Sequence, residues 1–211
     1  TLDVDLQEIV ERALERGVVK HYAKHGVAIL MEVNTGEIKA IANYPETYNH
    51  AVATSIEPGS TFKLASAAAL LDDGFLKLND TVATGNGLVE YDDKQITDNG
   101  KAYGDITFKD VLAFSSNVGM ATSVDSFYKA EPEKYIQKML SFGFGQAAFD
   151  QMSGEPQPKL LSPDDEEWTI ATLPSQSYGY SMRVTPLQMA TFYNGIANGG
   201  QLLRPWIVKQ V

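Results

Sequence analysis

The chain has 211 residues, 44% of them hydrophobic, and contains no cysteine. This is enough apolar sequence for one substantial core, and the lack of cysteine excludes disulfides, thiol nucleophiles and zinc-thiolate sites. The formal net charge of −10 is dispersed along the chain, which argues against a nucleic acid or an anionic membrane surface as a direct partner.

The first elements predicted are an amphipathic helix and a hairpin. Apolar residues from Leu6 to Leu14 follow helical spacing, with Asp3 or Asp5 available as a cap and Gly17 as the expected end of the helix. The segments GVAILMEV and EIKAIAN, joined by NTG, then predict two strands connected by a tight turn. We expect this hairpin to lie inside a covered antiparallel sheet.

The segment EPGSTFKLASAAALLDDG predicts a buried helix that begins near Ser60. Lys63 is the only charged residue between Glu57 and Asp72, and residues three apart share a helical face. We therefore expect the Ser60 hydroxyl and the Lys63 amine to come within hydrogen-bonding reach. Desolvation would lower the pKa of Lys63, so that the neutral amine could accept the serine proton. The alternative is a lysine whose stem lies on apolar surface while its ammonium reaches solvent.

A second S-x-x-K match, Ser126 to Lys129, shows that the bare pattern has low specificity. It lies near the end of a predicted amphipathic helix, has no preceding Pro-Gly turn and runs into the polar stretch AEPEK. We therefore expect Lys129 to be solvated and assign no role to Ser126.

The remainder of the chain is predicted to be mainly helical. Residues 74–105 are rich in Gly, Asp and Asn with short β-prone pieces, and predict a region with little regular structure. Helices are predicted in TFKDVLAF, VGMATSVDSFYK and PEKYIQKMLSFG, followed by an extended loop over residues 144–170.

A capping box marks the last predicted helix. Thr185, Pro186 and Gln188 supply an N-cap, a first-turn proline and the returning glutamine. The helix should run to Asn198, and a strand, LLRPWIVKQV, is expected to follow the glycines after it.

The sequence Ser115-Ser116-Asn117 falls where one predicted helix ends and the next begins, a position from which side chains can project into a cleft. Serine and asparagine also cap helices for ordinary structural reasons. If they act together with Ser60 and Lys63, Ser115 could relay protons to the leaving group, and the Asn117 amide could hold a substrate amide.

These motifs together resemble a known family, the class B penicillin-binding proteins of the cell-division type, within the serine D,D-transpeptidase and β-lactamase superfamily. The resemblance runs through TLDVDLQ, MEVNTGEIKAIAN, EPGSTFK, ITFKDVLAFSSNVG, SFGFG and SYGYSMRVTPLQMATFYNGIANGG, in that order. The S-x-x-K and S-x-N elements are about 55 residues apart. The order and spacing of the six segments make coincidence a poor explanation.

The resemblance implies peptidoglycan cross-linking in septal cell-wall synthesis. Ser60 would attack the D-Ala-D-Ala amide of a stem peptide, release D-alanine and pass the acyl group to an amine on a neighbouring strand. Covalent binding of β-lactams and an association with cell-division proteins are also implied. The implied location is the periplasmic face of the bacterial cytoplasmic membrane, reached through an N-terminal anchor that these 211 residues do not include.

The implied fold is α+β, with an antiparallel sheet covered by helices and a mainly helical lobe. We expect a partial transpeptidase domain over residues 1–211, with a sheet lobe at 1–45 and 199–211 and a helical lobe carrying the active site at about 46–198. The family's third element, K-T-G or K-S-G, does not occur in the sequence. The C-terminal strands are therefore expected to be missing, and a chain truly ending at Val211 is expected to be inactive.

The sequence also bears on functions other than transpeptidation. His21 and His25 are four residues apart, but no H-E-x-x-H motif or third ligand accompanies them, so neither a metal site nor a cofactor is expected. A non-catalytic scaffold or β-lactam sensor of the same fold remains open. A class D-like β-lactamase is disfavoured by the Asn117 of S-x-N, and the lack of an E-x-x-N element after Asn117 favours a transferase.

Overall fold

A computed structural model describes residues 2–92, 94–149, 151 and 154–208. The chain divides into two compact units. Unit 1 comprises residues 1–56, 142–158 and 184–211, and unit 2 comprises residues 57–141 and 159–183. The helices and strands, in chain order, are α1 Val4–His21, β1 Gly26–Met31, β2 Ile38–Tyr44, α2 His50–Ala53, α3 Lys63–Asp72, β3 Thr81–Ala83, β4 Leu88–Tyr91, β5 Lys94–Thr97, β6 Asp105–Thr107, α4 Phe108–Ala113, α5 Asn117–Tyr128, α6 Pro132–Met139, β7 Lys159–Leu160, α7 Thr172–Ser177, β8 Met182–Arg183 and α8 Pro186–Ala197.

Unit 1 is built on the hairpin of β1 and β2, which pair antiparallel as predicted. Its core cluster joins this hairpin to α2 and α8, and α1 packs against both strands. Gly26 allows the close approach of α1, because a Cβ there would lie 2.8 Å from Leu14 Cδ1 and 2.9 Å from Val18 Cγ2. The core of this unit therefore lies between the hairpin and its covering helices.

Two sequence predictions in unit 1 were wrong in detail. Helix α1 does not end at Gly17 but continues to His21, with Tyr22 in a left-handed conformation as its C-cap. Burial of Val18, at 6% exposure, offsets the cost of about 1 kcal/mol for a glycine inside a helix. The predicted closing strand forms only an isolated parallel bridge between Trp206 and Glu37 within the described residues. Pro205 lacks the N–H that a regular ladder needs, and the end of the predicted strand lies outside the described residues.

The capping box of α8 is confirmed. The Thr185 hydroxyl accepts from the Gln188 amide at 3.1 Å, and the Gln188 side chain accepts from the Thr185 amide at 2.8 Å. The helix ends with Asn198 as its C-cap, as the sequence predicts.

Unit 2 contains the helices α3 to α7 and the small antiparallel pairs of β3 with β6, β4 with β5 and β7 with β8. The first two pairs account for the β-prone pieces of residues 74–105. One core cluster joins the β4–β5 pair to α5 and to the region of α7 through Tyr91, Ile96, Ala121, Ala171 and Tyr178. This packing brings the end of β5 to the beginning of α5.

Helix α7 was not predicted from the sequence. Its residues, TLPSQS, include a proline and two serines and are all buried. The serine hydroxyls bond back to the main chain, Ser175 to Ala171 O at 2.5 Å and Ser177 to Pro174 O at 2.6 Å. Tertiary burial stabilises this helix, because its intrinsic helix propensity is low.

Candidate active site

Ser60 lies on a short 3-10 turn, Gly59–Phe62, that leads directly into α3. Its side chain is exposed, and no hydrogen bond to its hydroxyl is found in the described part of the chain. The turn is fixed by a bond from the Gly59 amide to Gly179 O at 3.0 Å. Gly179 has φ +87°, and a Cβ there would lie 2.1 Å from Gly59 O, so the close approach requires glycine.

Helix α3 is anchored by a buried hydroxyl pair at Ser66, about one turn after Lys63. The Ser66 hydroxyl donates to Ser177 O at 2.7 Å and lies 2.8 Å from the Tyr135 hydroxyl. Because Ser66 has one proton to donate, Tyr135 must be the donor in the second bond. Ser66 and Tyr135 are both fully buried, so α3 is tied to α6 and α7 by satisfied polar contacts.

Lys63 is buried, with 3% of the residue exposed. Its Nζ donates to three oxygens: the Ser115 carbonyl at 2.5 Å, the Ser115 hydroxyl at 3.0 Å and Asn117 Oδ1 at 2.7 Å. These three acceptors match the three N–H donors of an ammonium. The alternative expectation, an amine that reaches solvent along apolar surface, is therefore wrong for this lysine.

Burial lowers the pKa of Lys63 from 10.5 to about 8, while the Asp98 carboxylate opposes the shift by favouring the charged form. At pH 7 roughly a tenth of such side chains are neutral, about 300-fold more than at the ordinary lysine pKa. A neutral amine has two N–H donors and one lone pair. The carbonyl of Ser115 and Oδ1 of Asn117 can only accept, so the lone pair is left for a hydroxyl.

Ser115 occupies a position that usually requires glycine. Helix α4 ends with a Schellman pair of bonds, Ser116 N to Val111 O at 2.9 Å and Ser115 N to Leu112 O at 3.1 Å. Ser115 is the left-handed residue of this motif, with φ +56°. Backbone strain of this kind in a non-glycine residue is a feature of functional sites. The conformation directs both the carbonyl and the hydroxyl of Ser115 to Lys63.

Asn117 is the first residue of α5, and two partners set the orientation of its amide. Its Oδ1 accepts from Lys63, and its Nδ2 donates to Thr97 O at 2.9 Å at the end of β5. Because one partner is a donor and the other an acceptor, the amide cannot be reversed. One Nδ2 proton remains for a further acceptor.

Asp98 is a residue at this site that the sequence reasoning missed. It follows β5, is 5% exposed and accepts hydrogen bonds from Ser116, Asn117 and Val118. The sequence placed it among the Gly-, Asp- and Asn-rich residues 74–105, where a single carboxylate carries no distinguishing pattern. Its role is apparent only once β5 and α5 are seen to meet.

The structure brings together three of the four predicted residues, Lys63, Ser115 and Asn117. The expected hydrogen bond between Ser60 and Lys63 is not found in the described residues, although the two lie on one turn. The second S-x-x-K match behaves as predicted. Ser126 is exposed, and the Lys129 side chain is 68% exposed and lies 3.9 Å from Asp125.

Neither a metal site nor a membrane span is apparent from the side chains and helices that the structure describes. Within those ranges, no cluster of three or more His, Asp or Glu side chains is placed to hold a metal ion. None of the described helices has the length and apolar character that crossing a bilayer requires.

The domain combines helices with small antiparallel sheets and has a buried lysine that binds the S-x-N side chains, and comparison with known proteins identifies its family. The family model described as penicillin binding protein transpeptidase domain matches residues 26–211. The chain is 31% identical over 227 residues to the peptidoglycan D,D-transpeptidase FtsI of Escherichia coli K12, and covers 37% of that protein. It is also 31% identical to the probable peptidoglycan D,D-transpeptidase PbpC of Pseudomonas aeruginosa, again covering 37% of it.

Solved structures agree in fold. The apo transpeptidase domain of penicillin-binding protein 3 from Burkholderia pseudomallei aligns with a TM-score of 0.90 and 31% identity, over 100% of this chain and 61% of that one. The chain belongs to the penicillin-binding protein transpeptidase family. It spans 37% of the length of each of these two curated relatives.

Proposed function

We propose that this chain acts as the transpeptidase domain of a peptidoglycan D,D-transpeptidase, with Ser60 as the nucleophile. The proposed catalytic residues are Ser60, Lys63 and Ser115, and Asn117 is the proposed substrate-binding residue. The observation that supports these roles most directly is a buried lysine, one turn after an exposed serine, that binds both S-x-N side chains.

The first half-reaction forms the acyl-enzyme. Neutral Lys63 removes the Ser60 proton, and Oγ attacks the penultimate D-Ala carbonyl carbon of the stem peptide. The C–N bond then breaks, and D-alanine leaves with a proton that Lys63 returns through the Ser115 hydroxyl. The 3.0 Å contact between Nζ and Ser115 Oγ supports this relay.

The second half-reaction transfers the acyl group. An acceptor amine on a neighbouring stem peptide attacks the ester carbonyl and loses a proton to the Lys63 and Ser115 pair. The C–O bond to Ser60 breaks, and Oγ recovers its proton. Asn117, with one Nδ2 proton uncommitted, would hold a substrate carbonyl throughout. A β-lactam would follow the first half-reaction only, leaving a covalent adduct on Ser60.

The cellular role and the location of the protein are also proposed. We infer a role in septal wall synthesis beside cell-division proteins, at the periplasmic face of the cytoplasmic membrane. The names of the curated relatives, peptidoglycan D,D-transpeptidase FtsI among them, support the division role. The division of the transpeptidase domain into a sheet lobe at 1–45 and 199–211 and a helical lobe at about 46–198 stays a prediction.

Penicillin labelling tests the nucleophile. The full-length gene product is incubated with a fluorescent penicillin, and its intact mass and labelled peptide are determined. We expect one adduct on the peptide containing EPGSTFK, no adduct in Ser60→Ala, and normal labelling in Ser126→Ala. A label that persists in Ser60→Ala would show that Ser60 is not the nucleophile.

A further inference from the structure

A buried carboxylate outside the S-x-x-K and S-x-N elements makes direct contact with one of them. Asp98 Oδ1 accepts from the amides of Asn117 at 2.6 Å and Val118 at 3.0 Å, and Oδ2 accepts from the Ser116 hydroxyl at 2.7 Å. Both carboxylate oxygens are therefore bound, which is required of a charge that is 5% exposed.

These contacts complete the first turn of α5. The Ser116 hydroxyl, which donates to Asp98, accepts from the Gly119 amide at 2.8 Å. The first three amides of α5 are thus bound by two side chains, Asp98 and Ser116. A negative charge at a helix N-terminus is stabilised by the helix dipole, which favours a carboxylate in this buried position.

The same strand end holds the Asn117 side chain. Thr97 O accepts from Asn117 Nδ2, so consecutive residues of one segment bind both the main chain and the side chain of Asn117. The Asp98 amide in turn donates to Gly87 O at 3.0 Å, which ties Asp98 back to the loop before β4. Displacement of Asp98 would therefore also displace Asn117 Oδ1, which accepts a hydrogen bond from Lys63.

We propose that Asp98 is a positioning residue of the acyl-transfer site, holding Asn117 against Lys63 and stabilising the ammonium that forms when Lys63 accepts the Ser60 proton. This inference rests on the proposed function. It adds to the site a carboxylate behind the lysine, a role comparable to that of the acid that orients the base in other serine enzymes.

The charge of Asp98 distinguishes this role from simple helix capping. Ser115 and Asn117, the hydrogen-bond partners of Lys63, are uncharged, and Asp98 is the charged group that raises its pKa against the effect of burial. An asparagine at position 98 can still accept from the α5 amides through Oδ1 but has no charge. Loss of the charge makes Lys63 a weaker base, so its titration should move to lower pH.

The test compares Asp98→Asn with wild type in the full-length gene product. The first readout is the pH dependence of Lys63 acetylation by trace acetic anhydride, followed by peptide mapping, which does not depend on enzyme activity. The second is the rate of fluorescent penicillin acylation against pH. We expect the acetylation midpoint and the rising limb of acylation both to move to lower pH in Asp98→Asn, with a fall of roughly tenfold in the plateau rate.

The matched control is Asp110→Asn, which removes a carboxylate that accepts from the Thr107 hydroxyl at 2.7 Å at the start of α4. Neither midpoint should move in this variant. Unchanged midpoints in a folded Asp98→Asn protein would overturn the inference. If wild type forms no acyl-enzyme at any pH, the proposed function fails, and the acetylation midpoint still decides the role of Asp98.

A second variant keeps the inference testable if Asp98→Asn does not fold. Asp98→Glu retains the charge but moves the carboxylate by one methylene, so we expect the rising limb to stay in place while the plateau rate falls. Acylation at the wild-type rate across the whole pH range in Asp98→Glu would overturn the positioning role.

Discussion

Replacement of Ser115 by glycine and by alanine separates the effect of backbone strain on stability from the effect of the hydroxyl on acylation. Both substitutions remove the hydroxyl that lies 3.0 Å from Lys63 Nζ, and both keep the carbonyl that also accepts from Lys63. Only glycine removes the strain of a left-handed residue, since Ser115 has φ +56°. That conformation costs a residue with a Cβ about 1 to 2 kcal/mol.

The glycine variant should therefore be the more stable of the two. The greater freedom of glycine in the unfolded chain costs about 0.5 to 1 kcal/mol, which leaves a difference of about 0.8 kcal/mol in its favour. For a chain of this size this corresponds to about 2 °C in Tm. Ser126 is a matched control, because it is exposed and lies inside α5. There we expect the opposite order, with alanine more stable than glycine by about 1 kcal/mol.

Urea and thermal unfolding measure the stabilities, and stopped-flow labelling with a fluorescent penicillin measures acylation. Both Ser115 variants should acylate about 100-fold more slowly than wild type, and equally so, because each lacks the relay hydroxyl. The loss should be less complete than in Ser60→Ala, since a water can partly replace the hydroxyl. An alanine variant as stable as the glycine variant would refute the strain argument, and wild-type acylation in either would refute the relay.

Three further predictions concern Lys63 and the contact between Gly179 and Gly59. Lys63→Arg should slow acylation as severely as Lys63→Ala, because a guanidinium does not give up its proton at accessible pH; substantial activity in the arginine variant would contradict the base role. In wild type the acylation rate should rise with pH through about 8, where Lys63 loses its proton, and a pH-independent rate between 6 and 9 would count against a neutral amine. Gly179→Ala should lower both Tm and acylation, since its Cβ would lie 2.1 Å from Gly59 O, whereas Gly74→Ala, with no atom within 4 Å, should leave acylation unchanged.

Local patterns in the sequence were sufficient for much of the fold. The capping box at Thr185, the hairpin and the choice between the two S-x-x-K matches each depend on residues close in sequence. The end of α1 was misplaced because Gly17 is a weak terminator when the next residue is buried. Helix α7 was missed because its stability comes from burial and back-bonded hydroxyls, which leave no periodic signal.

The residues of the candidate site could be proposed from the sequence, but the hydrogen bonds that connect them could not. The pairing of Lys63 with Ser115 and Asn117 spans more than 50 positions of sequence. It was hypothesised from the two motifs, and the family resemblance strengthened that expectation. The direct bond from Ser60 to Lys63, expected from helical spacing, is replaced by bonds to the S-x-N element. Asp98 could not be found, because its significance depends on β5 ending where α5 begins.

The hydroxyl pair of Ser66 and Tyr135 has an evolutionary consequence for the nucleophile. Ser66→Ala alone leaves both the Tyr135 hydroxyl and Ser177 O without this partner, whereas Tyr135→Phe alone leaves the Ser66 hydroxyl its bond to Ser177 O. In the double variant Ser177 O loses this donor, but no tyrosine hydroxyl is left buried beside it. Substitutions at these two positions should therefore be epistatic, and related sequences should change them together. Sequence changes in α3, α6 and α7 are therefore constrained together. The same contacts keep α3, and with it Ser60, in a constant position.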